Sequence, residues 1–146
     1  MLQTLQLMAT LTATLFAGAA LYINVAEHPA RMLLQTRMAA LQWAPSYKRA
    51  TLLQAPLAVV SFSCGTLAWL LGASDAWLVA ALLIGAVVPF TLIVVMRTNR
   101  ELLDPRRDLS SAGTRELLET WNKLHAVRTV LSIAASVVYL WSLSWA

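Results

Sequence analysis

The sequence has few charged residues and only one cysteine. Asp, Glu, Lys and Arg make up 12% of the 146 residues, whereas soluble domains contain about a quarter. The single cysteine, Cys64, excludes an internal disulfide and any zinc site built from several cysteines. Apolar residues make up 59% of the chain and the mean hydropathy is +0.65. The composition therefore indicates a membrane protein.

Four long stretches contain no charge or nearly none: Leu2–Ala26, Thr51–Ser74, Ala76–Met96 and Thr129–Ala146. About twenty helical residues cross the ~30 Å hydrocarbon core of a bilayer, so the first three stretches are each long enough. The fourth is short, so its crossing is predicted to begin near residue 124. The sequence predicts an all-α integral membrane four-helix bundle that forms one domain. The predicted helices span about residues 3–27, 49–72, 75–100 and 114–146.

The basic residues are confined to two parts of the chain. Every Lys and Arg lies within residues 31–49 or residues 97–128. The positive-inside rule then places both long loops in the cytoplasm and both termini outside, as in a bacterial inner membrane. The same distribution accounts for the net charge of +4 without a nucleic-acid partner. Four tryptophans fall near the predicted outer ends, as in an aromatic belt: Trp69, Trp77, Trp141 and Trp145.

Each cytoplasmic loop is predicted to contain a short interfacial helix. In residues 32–43, apolar side chains recur at i, i+4 and i+7: Leu34, Met38 and Leu41. The third helix should end before Pro105. Three later residues can cap the helix that leads into the fourth span: Ser110, Ser111 and Thr114.

Small residues and prolines suggest how the helices pack. Small residues recur at every fourth position, which lets helices approach closely in lipid: Thr10, Thr14 and Gly18; Ser61 and Gly65; Ser132 and Ser136. Three prolines lie in or beside the spans: Pro29, Pro56 and Pro89. Each frees a backbone carbonyl four residues earlier. Helices splayed at these points would open a cavity towards the cytoplasm.

Polar residues from all four helices fall at one depth near the cytoplasmic boundary. The first helix contributes Asn24, Glu27, His28 and Arg31, which lie within about 100° of arc. The fourth contributes Trp121, His125 and Arg128 within about 60°, with Asn122 on the flank. The second and third contribute Gln54, Thr91, Thr98 and Asn99. Ionisable groups at membrane depth mark a functional site by default.

These residues fit several kinds of site. His28, His125 and Glu27 are the ligand types of a two-His, one-carboxylate metal centre, although the adjacent Glu27 and His28 diverge by about 100°. Two histidines on different helices could also ligate haem, although the chain has no C-x-x-C-H motif. General base catalysis needs a neutral histidine, a carboxylate and groups that stabilise an anion. An ion pair from Glu27 to Arg31 or Arg128 would be purely structural.

Six stretches of the sequence carry a family resemblance: AGAALYINVAEHPAR at 17–31, WAPSYKRA at 43–50, LLQAPLA at 52–58, PFT at 89–91, RTNRELL at 97–103 and WNKLHAVRTVL at 121–131. With these stretches in order, the chain resembles the anthrone-oxygenase-like family of small four-helix membrane proteins. Fungal members of that family are implicated in oxidising polyketide anthrones to anthraquinones with O₂ and no added cofactor.

The resemblance implies roles for the polar residues. His28 and His125 become candidate bases, with Glu27 as the carboxylate of the catalytic group. The implied substrate-binding residues are Asn24, Arg31, Gln54, Thr98, Asn99, Trp121, Asn122 and Arg128. The predicted partners are O₂, a small apolar aromatic substrate from the inner leaflet, and the lipid bilayer, with a homo-oligomer left open. No cofactor is predicted. The alternatives are haem or a transition metal on His28 and His125, or a non-catalytic subunit of a membrane complex.

Overall fold

The computed structural model describes residues 1–144, which form four long helices. The helices are α1, Leu2–Arg31; α2, Thr36–Leu70; α3, Asp75–Leu102; and α4, Ala112–Leu143. No strand occurs within these 144 residues. Trp145, one of the predicted belt tryptophans, lies outside the described residues.

The helices pack as a square in which consecutive helices run antiparallel. α1 packs along α2 and α4, and α3 packs along the same two helices, so α1 and α3 occupy opposite corners. In the turn between α2 and α3, Gly72 has a φ of +93°, a conformation that glycine adopts without strain. We call the end of the bundle with the loops 32–35 and 103–111 the basic end.

The bundle has an apolar surface and an interior of small residues. Leu7, Leu11 and Leu15 are exposed, whereas Ala9 and Ala13 are fully buried. This distribution suits lipid, where small residues let helices approach. The most apolar 18-residue windows of the four helices have mean hydropathies of 1.5, 1.4, 2.8 and 1.6, and all four helices are long enough to cross a membrane. The predicted membrane four-helix bundle is confirmed.

The prediction of separate interfacial helices is wrong. α2 begins at Thr36 and not near residue 49, so the segment predicted as an interfacial helix forms its first turns. Pro45 lies inside this helix without ending it, because the carbonyl it frees belongs to the exposed Leu41. α4 begins at Ala112, where the Ser111 hydroxyl accepts from the Thr114 backbone N–H at 3.2 Å.

Two of the three small-residue repeats lie between helices. Ser61 is fully buried and donates to the Ala9 carbonyl at 2.9 Å. A Cβ on Gly65 would lie 2.0 Å from the hydroxyl of Tyr139, so only glycine fits there. Ser132 and Ser136, which form the repeat in α4, are also buried. By contrast, Gly18 is exposed and a Cβ added there would meet nothing within 4 Å, so in the α1 repeat only the Thr10 end is buried.

The tryptophans at the end opposite the basic end do not all form a belt. Trp141 is exposed, and Trp69 donates to the Asp75 carboxylate at 3.0 Å. Trp77, however, is buried and packs on Tyr139 with 5.1 Å between the ring centres. Its ring fills the core at this end, because the neighbouring core residues Ala9, Ala13, Ala68 and Ala80 are small.

Two of the three prolines lie beside sections of π-helix. Ile23–Glu27 of α1 is π-helical and ends just before Pro29. Thr91–Val95 of α3 is π-helical and follows Pro89. A π-helical turn changes the angle at which later side chains leave the helix and is frequent at functional sites. Both sections lie in the half of the bundle that holds the polar residues.

Candidate functional site

The side chain of Asn24 connects α1 to α4. Its amide nitrogen donates to the side-chain oxygen of Asn122 at 2.7 Å and to the Asn122 carbonyl at 3.1 Å. Its amide oxygen accepts from the Thr129 hydroxyl at 2.5 Å and lies 3.0 Å from Nδ1 of His125. The amide orientation follows from these partners, because Thr129 donates and the Asn122 carbonyl accepts.

This network defines the protonation of the His125 ring. An amide oxygen can only accept, so the Nδ1 that faces Asn24 carries a proton. In the neutral ring, Nε2 then has the free electron pair. Only 1% of His125 is exposed, so its orientation is held by Asn24. A histidine held in one tautomer by a neighbouring acceptor is the arrangement that general base catalysis requires.

A second polar group surrounds Arg31. Its guanidinium donates to the Glu27 carboxylate at 2.5 Å and to the Ser46 hydroxyl at 3.3 Å. It also donates to Gln42, while the Ser46 hydroxyl donates to Glu27. Of the two predicted partners for Glu27, the structure has Arg31. The group ties the end of α1 to the start of α2.

Arg31 also determines the tautomer of His28. Its Nη1 lies 3.3 Å from Nδ1 of His28, and a guanidinium can only donate. Nδ1 therefore accepts, and the proton of the neutral ring lies on Nε2. His28 is only 2% exposed, and this Nε2 is buried without a hydrogen-bond partner among the described residues. The two histidines thus differ: His125 presents an acceptor and His28 a donor.

An aromatic cluster joins the two histidines. The Trp121 ring packs against His28 and His125, with centre-to-centre distances of 5.7 Å and 4.9 Å. Trp43 meets Trp121 edge to face at 5.7 Å and stacks on Tyr47 at 5.1 Å. Flat apolar rings beside a base and a donor are suited to holding an aromatic molecule.

Arg128 has no carboxylate partner among the described residues. Its Nη2 donates to the Gln54 side-chain oxygen at 2.8 Å, and its guanidinium lies 5.6 Å from the centre of the Phe16 ring. Only 7% of Arg128 is exposed. A buried cation with a neutral partner leaves positive charge in the site, which favours an anion there.

Thr98 and Asn99 lie at the same level but bond to none of the other predicted residues. Both are buried. Val95 and Leu102, on either side of Asn99, pack in the same cluster as Trp121. Neither polar atom of the Asn99 side chain has a hydrogen-bond partner within residues 1–144. Thr91 instead donates to the Val87 carbonyl of its own helix at 2.7 Å.

Buried polar atoms without partners concentrate at this level. Eight buried side-chain atoms lack a hydrogen-bond partner among the described residues. One of them, the hydroxyl of Thr66, lies away from this level. The other seven come from all four helices: His28 Nε2, Trp43 Nε1, Gln54 Nε2, both polar atoms of Asn99, Trp121 Nε1 and Arg128 Nε. Each such atom costs about 1–3 kcal/mol unless a ligand or water satisfies it. This concentration makes the level the candidate binding site.

The residues do not form the two-His, one-carboxylate metal centre. Glu27 is engaged by Arg31 and Ser46. Across residues 1–144, no group of three His, Cys, Asp or Glu side chains could hold a metal ion. A haem ligated by both His28 and His125 would compete for space with the Trp121 indole, because both imidazole rings pack on that indole.

Sequence reasoning missed five residues that contact the predicted ones: Gln42, Trp43, Ser46, Tyr47 and Thr129. Thr129 could have been found, because it follows His125 by one helical turn. Three of the five lie in the WAPSYKRA stretch. Their contacts depend on α2 beginning at Thr36, which brings its first turns against α1 and α4.

Comparisons with known proteins identify one family. A family model described as anthrone oxygenase matches residues 43–138, which is more than half of the chain. No curated protein and no solved structure matches. The matched region contains Gln54, Asn99, Trp121, His125 and Arg128, whereas the α1 residues of the site precede it.

Proposed function

Because this chain belongs to the anthrone oxygenase family, we propose that it is a membrane oxidoreductase that oxidises an apolar aromatic or polyketide-like substrate with O₂. The observation that best supports this proposal is the pair of oppositely protonated histidines on the Trp121 ring. An anthrone has an acidic CH₂ group between two aromatic rings and a carbonyl on the opposite side of the central ring, so it offers one group to a base and another to a donor.

The first step is removal of a proton from carbon. His125 Nε2 takes the proton, and the electron pair of the broken C–H bond moves onto the substrate as an enolate. The Nε2–H of His28 donates to the enolate oxygen. Arg128 follows His125 by three residues on the same helix face and adds positive charge. Trp121, which packs on both imidazoles, fixes their positions beside the flat substrate.

The second step is the reaction with O₂. The enolate passes one electron to O₂, and the two radicals combine to form a C–O bond. The resulting peroxide takes the proton back from His125. Loss of water then breaks the O–O bond and leaves a carbonyl in place of the CH₂ group. One O₂ therefore yields one carbonyl and one water, and all four electrons come from the substrate. Burial of the site keeps water from the enolate.

The same proposal includes the orientation in the membrane. The basic end faces the cytoplasm, both termini lie outside, and the host membrane is of the bacterial inner-membrane type. The confinement of every Lys and Arg to the basic end supports this orientation. The polar site then lies in the inner-leaflet half of the bundle, where it meets substrates dissolved in that leaflet.

The proposal is tested by oxygen uptake with anthrone. The purified protein in nanodiscs is expected to consume one O₂ per anthraquinone formed, above the rate in empty nanodiscs.

His125→Ala should lower the rate by about 10²–10⁴-fold, the range of general base catalysis. His28→Ala removes one donor and should lower it by about 10²-fold. Tyr139→Phe, in the opposite half of the bundle, is the matched control and should keep the rate. Uptake no faster than in empty nanodiscs refutes the anthrone substrate, and undiminished rates in both histidine variants refute the mechanism.

A further inference from the structure

A cavity of about 130 Å³ lies between α2 and α3 in the basic half of the bundle. Arg128 lines its inner wall, and hydroxyl groups of Tyr47, Thr51 and Thr91 are among its lining residues. Thr51 and Leu92, which also line it, are exposed on the outer surface of the bundle. Since that surface faces the acyl chains, the cavity connects Arg128 to the bilayer.

An apolar groove of about 490 Å³ continues this cavity along the lipid face of the same two helices. The two share Ala58 and Val88 in their walls. Gly85 lets the Phe62 ring pack closely against α3 in the wall of this groove, because a Cβ there would lie 2.6 Å from the ring. Together they form one channel with an apolar outer part and a cationic inner end. We call it the α2–α3 channel.

The inner end has an unsatisfied charge. Arg128 lacks a carboxylate partner in the described part of the chain, and its Nε has no acceptor. Its one side-chain acceptor, Gln54, has an unpartnered Nε2 of its own. Both side chains are more than nine-tenths buried. An anionic oxygen at this point would satisfy the guanidinium and the amide together.

We propose that the α2–α3 channel admits the substrate sideways from the bilayer, and that the substrate is an aromatic with an acidic phenol oxygen that pairs with Arg128, separate from the enolate oxygen that His28 contacts. This inference rests on the proposed function. The inner cavity has the size of one aromatic ring, since an apolar cavity of about 150 Å³ holds benzene. Further ring oxygens meet Tyr47, Thr51 and Thr91, which an acyl chain could not use. The rest of the molecule lies in the apolar groove.

Binding of two matched probes tests the inference without turnover. The probes are 2-hydroxyanthraquinone and anthraquinone, which differ by one acidic hydroxyl. Binding to the protein in nanodiscs is followed by probe absorbance and fluorescence. The hydroxylated probe is expected to bind at least tenfold more tightly. Arg128→Gln should abolish this difference. Ala55→Trp fills the exposed mouth of the channel and should weaken both probes at least tenfold. Val130→Trp, at a lipid-facing position that is 66% exposed, should bind both as the wild type does.

The outcomes separate this inference from the proposed function. Tenfold weakening in Ala55→Trp together with no anthrone oxidation by the wild type supports the channel and refutes the oxidation. Wild-type binding and oxidation in both Ala55→Trp and Arg128→Gln refute the channel and leave the oxidation standing. If oleate displaces the hydroxylated probe at equal concentration, the occupant is a lipid and the aromatic assignment is wrong. Because Ala55 is exposed, its variant tests the channel even if Arg128→Gln fails to fold.

Discussion

Replacement of Asn24 by leucine tests the candidate site most directly. Leucine has nearly the shape of asparagine but cannot hydrogen-bond. The substitution removes the acceptor that faces Nδ1 of His125 and the Thr129 hydroxyl, and the donor to Asn122. We expect a modest loss of stability and a large loss of activity.

The loss of stability follows from which partners are left unsatisfied. The Thr129 hydroxyl can still donate to the His125 carbonyl, 3.3 Å away. Asn122 is only partly buried, so water can reach its side chain. The Nδ1–H of His125 remains as the one buried donor without an acceptor, which costs about 1–3 kcal/mol. We therefore expect Asn24→Leu to lower the free energy of unfolding in detergent by about this amount.

The loss of activity follows from the tautomer. Without the Asn24 oxygen, no acceptor among the described residues holds the His125 proton on Nδ1, so the ring also adopts the tautomer protonated on Nε2, which has no free electron pair there to act as the base. The rate of anthrone oxidation should fall by about 10²–10⁴-fold. Asn24→Asp keeps an acceptor for His125 and Thr129, so its rate should stay within about tenfold of the wild type.

Nitrogen NMR of the ¹⁵N-histidine-labelled protein measures the tautomers without turnover. The wild type should show one neutral ring protonated on Nδ1, from His125, and one protonated on Nε2, from His28. Asn24→Leu should change only the first, and Tyr139→Phe should change neither. Two rings with the same tautomer in the wild type, or an unchanged spectrum and rate in Asn24→Leu, would refute the reasoning.

Three further predictions concern packing, the ion pair and cofactors. Gly65→Ala forces a Cβ against the Tyr139 hydroxyl and should lower the free energy of unfolding in detergent by about 1–3 kcal/mol. Gly18→Ala is the control and should not lower it, because the space around Gly18 is open. Glu27→Gln removes the one carboxylate that pairs with Arg31 among residues 1–144, and should destabilise the protein by about 1–3 kcal/mol in the same unfolding measurement. Equal stability would mean that Gln42 and Ser46 suffice. The purified protein should show no Soret band in oxidised or reduced optical spectra, and metal analysis of the same sample should find no stoichiometric metal. A Soret band or bound metal would instead indicate that His28 and His125 are ligands.

Much of the fold could be predicted because its signals are local. Helix length and charge indicate membrane crossing residue by residue, and the four spans agree with that pattern. The cap at Ser111 could be predicted for the same reason, since a cap involves only neighbours in sequence. The continuous α2 could not, because Pro45 and Lys48 look like a boundary unless it is known that Leu41, the residue whose carbonyl Pro45 frees, is exposed in the packed structure.

Sequence periodicity established that Asn24, Glu27, His28 and Arg31 share a face of α1 and that the α4 residues lie at the same depth, because these properties depend on one helix at a time. Which residues pair across the bundle depended on helix crossing and on the π-helical turn Ile23–Glu27, which changes the angle at which the following side chains leave α1. In the packed structure the Glu27 carboxylate pairs with Arg31, and Arg128 hydrogen-bonds to the neutral amide of Gln54. The packing also gave the two histidines opposite tautomers. His125 faces Asn24 on another helix. His28 faces an Arg31 side chain that Gln42 and Ser46 of α2 hold in place, and neither arrangement has a signature in the order of residues.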